Sequence, residues 1–90
     1  MRLDVFLNTC CLVKRRSEAK RACDNGIVTV DGKVAKASRA LQVGETVCVA
    51  FTDRLLEFEV VDIPKGNVSR KQAPEFYHVV KDEAREPEFL

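Results

Sequence analysis

Long apolar runs are absent from this 90-residue sequence. No stretch approaches the roughly 18 consecutive apolar residues that a membrane-spanning helix requires, so we expect no membrane segment and no membrane partner. The first residues also lack the apolar core of a secretory signal, and this predicts a cytoplasmic protein. At this length the chain has room for one domain with a single hydrophobic core.

Residues that could bind a metal or carry out catalysis are also few. The sequence has one histidine, His78, and four cysteines, none of which forms a Cys-x-x-Cys pair. We interpret the cysteines as small, mostly buried side chains, because their spacing matches no common zinc framework. The sequence contains no glycine-rich phosphate loop and no nucleophile next to a base. We therefore expect no metal, no cofactor, no catalytic residue and no enzymatic activity.

Positive charge, by contrast, is concentrated at one end of the chain. Residues 1–40 contain nine basic and four acidic residues, whereas residues 41–90 contain six basic and ten acidic ones. The formal net charge of +1 therefore hides a polarised molecule. A cationic end is typical of nucleic-acid binding, because phosphates attract it whatever the base sequence. A charge run on a helix is more often plain solvated surface, so the neighbouring sequence has to decide.

The apolar pattern predicts two helices at the start of the chain. The first has one buried face, formed by residues at helical spacing: Leu3, Phe6, Leu7, Cys10 and Cys11. The second follows the basic run of residues 14–16, with Ser17 as its N-cap, and ends at Gly26, which tolerates the left-handed conformation. A small-residue face on this helix permits close packing and consists of Ala19, Ala22 and Cys23.

After Gly26 the composition becomes that of a β-sheet. Residues 27–30 are β-branched, and the following Asp31-Gly32 is a strong signal for a two-residue hairpin turn. Three further strands are expected over residues 46–51, 55–63 and 76–80.

These elements predict an α+β fold in which two N-terminal helices pack on a small antiparallel β-sheet. A short C-terminal extension completes the domain, which we expect to span residues 1–80. The charges and Pro87 that follow indicate a flexible charged tail over residues 81–90.

The basic residues at the junction between the helices are the strongest functional signal. Arg15 and Arg16 precede the second helix, where free backbone N–H groups already favour an anion. Lys20 lies one turn further along the same side, and Lys33 and Lys36 follow the hairpin tip, where they can flank the same groove. The bases are consecutive, they begin a helix, and the compensating acids lie at the other end of the chain. Together these features favour a nucleic-acid-binding surface.

The combined motif resembles the RNA-binding domain named after ribosomal small-subunit protein S4. Four segments carry the resemblance: RLDVFL at 2–7, LVKRRSEA at 12–19, GIVTVDGK at 26–33 and VGE at 43–45. They place the core motif within residues 2–50. The resemblance implies an αL motif, two helices on a small antiparallel sheet, that docks on structured RNA through shape and phosphate contacts.

The short chain with its C-terminal segment resembles the compact ribosome-associated group that includes heat-shock protein fifteen and RqcP. This resemblance implies binding to the large ribosomal subunit, through large-subunit rRNA and peptidyl-tRNA, during rescue of stalled nascent chains. It also implies RqcH as a partner, and we expect the protein to be a monomer.

Carried over position by position, the resemblance implies these RNA-facing residues: Arg2, Lys14, Arg15, Arg16, Ser17, Lys20, Lys33 and Lys36. Val5, Asn8 and Cys11 depart from the pattern, because relatives commonly carry a basic or polar residue there, and Asp31 replaces the usual asparagine. The first helix is therefore less basic than the pattern, and the prediction concentrates on residues 14–20.

Two other functions remain open at this point. One is a protein-interaction or ribosome-assembly module that recruits a partner through Glu57, Glu59 and Asp62, with incidental RNA contact. The other is an RNA-modifying enzyme that depends on a separate catalytic chain. The aromatic cluster at residues 76–78 either stacks on a base or packs a C-terminal strand onto the sheet, and we favour packing.

Overall fold

Two α-helices and five β-strands form within residues 1–85, the part of the chain that the computed structural model describes. The helices are α1 (Leu3–Thr9) and α2 (Arg16–Asp24). The strands are β1 (Val28–Val30), β2 (Lys33–Val34), β3 (Thr46–Ala50), β4 (Arg54–Val60) and β5 (Tyr77–Ala84), and a short 3-10 helix (Ala73–Glu75) precedes β5. The predicted α+β fold is confirmed. No helix in these residues has the length and apolar content to cross a bilayer.

The sheet is antiparallel, with the strand order β2-β1-β3-β4-β5. Alternate residues of β1, β3 and β4 point to the helices and are buried: Val28, Val30, Val47, Val49, Leu56, Phe58 and Val60. Phe6 of α1 lies on this face and stacks on Phe58, with ring centroids 6.0 Å apart. This one apolar face, covered by two helices, is the single core that the chain length predicts.

The first helix is shorter than its apolar pattern predicts. Leu3, Phe6, Leu7 and Cys10 are buried, as expected. The prediction for Cys11 is wrong, because this residue is exposed and has a left-handed backbone with φ of 60°. The reversal at Cys11 ends the helix and turns the chain towards α2.

The N-cap of the second helix is Arg15, two residues before the predicted cap at Ser17. The N–H groups of Glu18 and Ala19 both donate to the carbonyl oxygen of Arg15, at 3.1 Å, so the first turn closes on Arg15. Ser17 is therefore the second helical residue and caps nothing. Gly26 follows the helix with φ of 73°, as predicted.

The Asp31-Gly32 turn joins β1 to β2 as predicted, with φ of 50° and 84°. The carboxylate of Asp31 accepts a hydrogen bond from the N–H of Thr46 at 3.0 Å, which ties the turn to β3. Asp31 therefore has a structural role, and its difference from the usual asparagine needs no functional explanation.

The C-terminal half of the sheet differs from prediction in two places. β4 ends at Val60 and not at Ile63, because the next two N–H groups donate to the carbonyl oxygen of Phe76. Residues 81–84 do not begin a tail, because they continue β5. This strand pairs with β4 up to Ala84, which lies opposite Arg54. The sequence prediction of a tail is wrong for these four residues, and residues 86–90 lie outside the described part.

The aromatic cluster packs on the sheet as we expected from sequence. Tyr77 meets Phe58 edge to face at 5.5 Å, Phe76 is half-buried against the core, and His78 is exposed. The pairing of β5 with β4 contains a β-bulge, in which Val79 faces Phe58 and Lys81 faces Glu57, so that Val80 is the extra residue.

The turn before β3 is fastened by an ion pair that should make stability depend on pH. Arg39 donates to Glu45 at 3.0 and 2.6 Å, and this hydrogen bonding lowers the pKa of Glu45 below its ordinary value of 4.5. A carboxyl group whose pKa is lowered in the folded protein stabilises the fold at pH values above its ordinary pKa. This contribution is lost as the pH falls through the lowered pKa.

We therefore expect E45Q to melt a few degrees below wild type at pH 7 and this difference to shrink as the pH falls below 4.5, as thermal unfolding at pH 7 and at pH 3 would measure. E59Q is the matched control, because Glu59 is exposed and forms no ion pair within residues 1–85. An E45Q deficit of the same size at both pH values would contradict the assignment.

Candidate RNA-binding surface

The start of α1 and the start of α2 lie side by side and bring basic residues together. Arg2, Arg16, Ser17 and Lys20 line one open depression, with Asp4 between the two arginines. Asp4 is the one buried charged residue in the described part of the chain, with 1% of its surface exposed. The buried carboxylate of Asp4 therefore lies beneath the basic side chains that line the depression.

Asp4 holds the two guanidinium groups next to each other. Its carboxylate accepts hydrogen bonds from Nε and Nη2 of Arg2 at 3.1 and 3.2 Å, and Nε of Arg16 lies 3.7 Å from Oδ2. The backbone N–H of Val5 donates to the same carboxylate at 2.8 Å. The arginine side chains remain 45% and 58% exposed, so each keeps N–H donors available to a ligand. One negative charge between two positive ones leaves the cluster cationic.

A second depression continues from the first, between α2 and residues 34–38. Its cations are Arg2, Lys20 and Lys36, and it also contains Asp24. Because Arg2 and Lys20 line both depressions, the two form one continuous surface. We call this surface the central groove and define it by Arg2, Arg16, Ser17, Lys20 and Lys36.

Residues far apart in sequence build this groove. The N–H of Leu3 donates to the carbonyl oxygen of Arg39 at 2.8 Å, and Arg2 forms an isolated bridge with Ala40. The segment that carries Lys36 is thereby fixed against the start of α1. Lys36 is exposed between two buried alanines, Ala35 and Ala37, which fixes its direction away from the core.

Three of the predicted residues lie outside the central groove. Lys14 lines a separate depression with Asn8 and Arg70. Arg15 is exposed at the N-cap of α2, and Lys33 is exposed at the start of β2. The structure therefore brings five of the eight predicted residues together and leaves three at the periphery.

Two residues that position the groove were not identified as such from the sequence. Asp4 lies within the S4-type motif, but nothing in the linear pattern indicates its contact with Arg16, which joins residues that the motif keeps apart. Asn8 donates to the carbonyl oxygens of Val13 and Lys14 at 3.2 and 3.1 Å and so holds the turn between the helices. The signal for Asn8 in the sequence is a polar residue within the predicted first helix, which has an apolar face.

The buried thiols of Cys10 and Cys23 are poorly suited to nucleophilic chemistry. Burial raises the pKa of Cys10 to about 12 and that of Cys23 to about 11, so both remain protonated near neutral pH. Within residues 1–85 no three His, Cys, Asp or Glu side chains are grouped to hold a metal ion.

Comparison with known proteins identifies the fold and the motif. The S4 domain family model matches residues 1–47. The RQC P-site tRNA stabilizing factor of Halalkalibacterium halodurans is 39% identical over 83 residues, which cover 92% of this chain and 93% of that protein. Its namesake from Bacillus subtilis is 35% identical and covers 92% and 95%.

A solved structure shows the same fold. The trimeric structure of Vibrio cholerae heat shock protein 15 superimposes with a TM-score of 0.82 and 23% identity, and the match covers 89% of this chain and 81% of that one. The resemblance inferred from the sequence motifs is confirmed. The chain belongs to the family of RQC P-site tRNA stabilizing factors, which is built on the S4 domain.

Proposed function

We propose that this protein is a non-catalytic RNA-binding factor that stabilises P-site tRNA on the large ribosomal subunit during rescue of stalled nascent chains. The observation that carries the proposal is the central groove, where Arg2, Arg16, Lys20 and Lys36 gather on one surface. The names of the relatives supply the RNA and the process.

The chemistry of the groove suits a phosphodiester backbone. Guanidinium groups bind phosphate oxygens through paired N–H donors, whereas the lysine ammonium groups act as compact point charges. Asp4 hydrogen-bonds Arg2 and forms an ion pair with Arg16 before the ligand arrives, so less side-chain freedom is lost on binding. Such contacts position a protein on folded RNA without reading the bases.

We propose that the protein acts by binding alone. Its buried thiols Cys10 and Cys23 have raised pKa values and yield little nucleophilic thiolate at neutral pH. We extend the proposal to a cytoplasmic monomer that contacts large-subunit rRNA and peptidyl-tRNA and works alongside RqcH, the partner that the sequence resemblance implies.

The alternative of a protein-interaction module has weaker support. Of the three acids that it relies on, Glu57 lies directly opposite Lys81 in the pairing of β4 with β5. A base therefore partly offsets the acidic surface that would recruit a partner. In the depression that Lys36 lines, by contrast, one acid, Asp24, faces three bases, Arg2, Lys20 and Lys36.

The two lysines of the central groove provide the test of the proposal. We expect K20Q/K36Q to bind large subunits carrying P-site peptidyl-tRNA about 10- to 100-fold more weakly, because two charge-assisted contacts to phosphate are lost. Co-sedimentation at fixed salt measures the affinity. R54Q/K81Q is the matched control: it removes two charges from β4 and β5, where each base already has an acidic partner. Equal affinity of wild type and K20Q/K36Q would refute the proposed surface.

A further inference from the structure

A second set of bases lies in the connection between β4 and the 3-10 helix. Residues 64–72, which we call the basic loop, contain Lys65, Arg70 and Lys71 and no acidic residue. The loop lies outside residues 1–47, the part that the S4 domain family model matches. The predicted RNA-facing residues include none of its bases.

The basic loop has a defined position on the fold. Pro64 is buried, and Val68 is half-buried against the core. Ser69 closes the far end, because its carbonyl oxygen accepts the N–H groups of Gln72 and Ala73 at 3.1 and 2.9 Å. The apolar anchors and this turn leave the basic side chains exposed.

Each end of the loop meets a different part of α1. Lys65 lines a depression together with Arg2, Val5 and Thr9. This depression shares Arg2 with the central groove, so the cationic surface continues from the groove across α1 to the loop.

At its other end the loop reaches the turn between the helices. Arg70 lines a depression with Asn8, Cys11 and Lys14. Lys14, which lies outside the central groove, therefore has a basic neighbour on this side of α1. The position of Lys14 outside the central groove is explained if Lys14 forms one surface with the bases of the loop.

The loop places charge where α1 lacks it. Val5, Asn8 and Cys11 are the positions at which the first helix is less basic than the S4-type pattern. Lys65 lies beside Val5, and Arg70 lies beside Asn8 and Cys11. Bases from a segment distant in sequence thus stand next to the neutral positions of α1 and next to Cys11, which follows it.

The bases of the loop have no acidic partner in the described part of the chain. Within residues 1–85 none of its three bases forms an ion pair, whereas Arg39, Arg54 and Lys81 each have an acidic partner. Clustered, exposed and unpaired bases at defined positions attract phosphate at long range and bind it on contact.

We propose that the basic loop, with Lys14, forms a second contact with RNA backbone on the far side of α1 from the central groove. The protein then holds folded RNA along both flanks of α1. This inference rests on the proposed function, because it assumes that the ligand of the central groove is RNA.

The test compares K65Q/R70Q with wild type on large subunits carrying P-site peptidyl-tRNA, at salt concentrations from 50 to 200 mM. We expect affinity to fall about tenfold or more and the slope of log affinity against log salt to become shallower by about 1.5, since two phosphate contacts are lost. R54Q/K81Q, with the same residue types and the same change in charge, should keep the wild-type slope.

The outcomes separate this inference from the proposed function. Wild-type affinity and slope in K65Q/R70Q, alongside weakened K20Q/K36Q, would overturn the loop contact and leave the central groove intact. The same loss in R54Q/K81Q as in K65Q/R70Q would also overturn it, because net charge alone would then explain the effect. A wild-type protein that fails to bind would overturn both. Thermal unfolding of each variant checks that folding is unchanged.

Discussion

Replacing Arg16 with glutamine is expected to weaken binding to large subunits carrying P-site peptidyl-tRNA by about 100-fold, which corresponds to roughly 3 kcal/mol for a charge-assisted contact. Arg16 begins α2, is 58% exposed and is oriented by Asp4. R16K should recover part of the affinity, because it restores the charge but not the paired donors. Co-sedimentation of the three proteins measures the series. Wild-type affinity in R16Q would contradict the role of this arginine.

The D4N variant distinguishes the orienting role of Asp4 from its effect on the net charge of the protein. It makes the protein more positive by one unit, so attraction by net charge alone would tighten RNA binding. Loss of the carboxylate that holds Arg2 and Arg16 should instead weaken binding, because both side chains regain freedom. Tighter binding by folded D4N would show that Asp4 does not position the groove.

Replacing Phe58 with alanine should cost about 3 to 5 kcal/mol of unfolding free energy. Its ring is fully buried, stacks on Phe6 and meets Tyr77 edge to face, so its removal leaves a cavity where α1, β4 and β5 meet. A domain of this size has only about 5 to 15 kcal/mol of stability. We therefore expect a large shift of the urea midpoint and, at 37 °C, a substantial unfolded fraction.

F51A is the matched control for this substitution. Phe51 is half-buried next to the end of β3, and its ring lies 5.1 Å from the guanidinium carbon of Arg54. The same chemical change there should cost clearly less, because water can reach part of the space that the ring vacates. Equal costs for F58A and F51A would contradict the central position of Phe58 in the core.

Local patterns were sufficient to predict the helices, the hairpin and the presence of β4. Asp31-Gly32 specifies its turn within two residues, and the helical spacing of Leu3, Phe6 and Leu7 depends on nothing distant. The extension of β5 through residues 81–84 was not predictable in this way, because its pairing partner is β4. Charged residues are compatible with a strand when a neighbouring strand supplies the hydrogen bonds.

The same distinction between local patterns and distant contacts applies to the candidate site. The consecutive bases and the motif identified Arg16 and Lys20 directly. Lys36 was also predicted to flank the groove, from its place after the hairpin tip, but the bridge between Arg2 and Ala40 that holds its segment beside α1 is encoded by no local pattern. The separation of Lys14 depends on the left-handed turn at Cys11, an unusual conformation for a residue other than glycine.

The β-bulge at Val80 has a consequence for solubility. β5 is the outermost strand on one side of the sheet, and a long regular strand there would offer its open hydrogen-bonding groups to another molecule. The extra residue interrupts that regular row, and the charged residues Lys81, Asp82 and Glu83 follow it directly. At the opposite margin, β2 is only two residues long. Both margins are therefore poor templates for strand exchange or fibril growth.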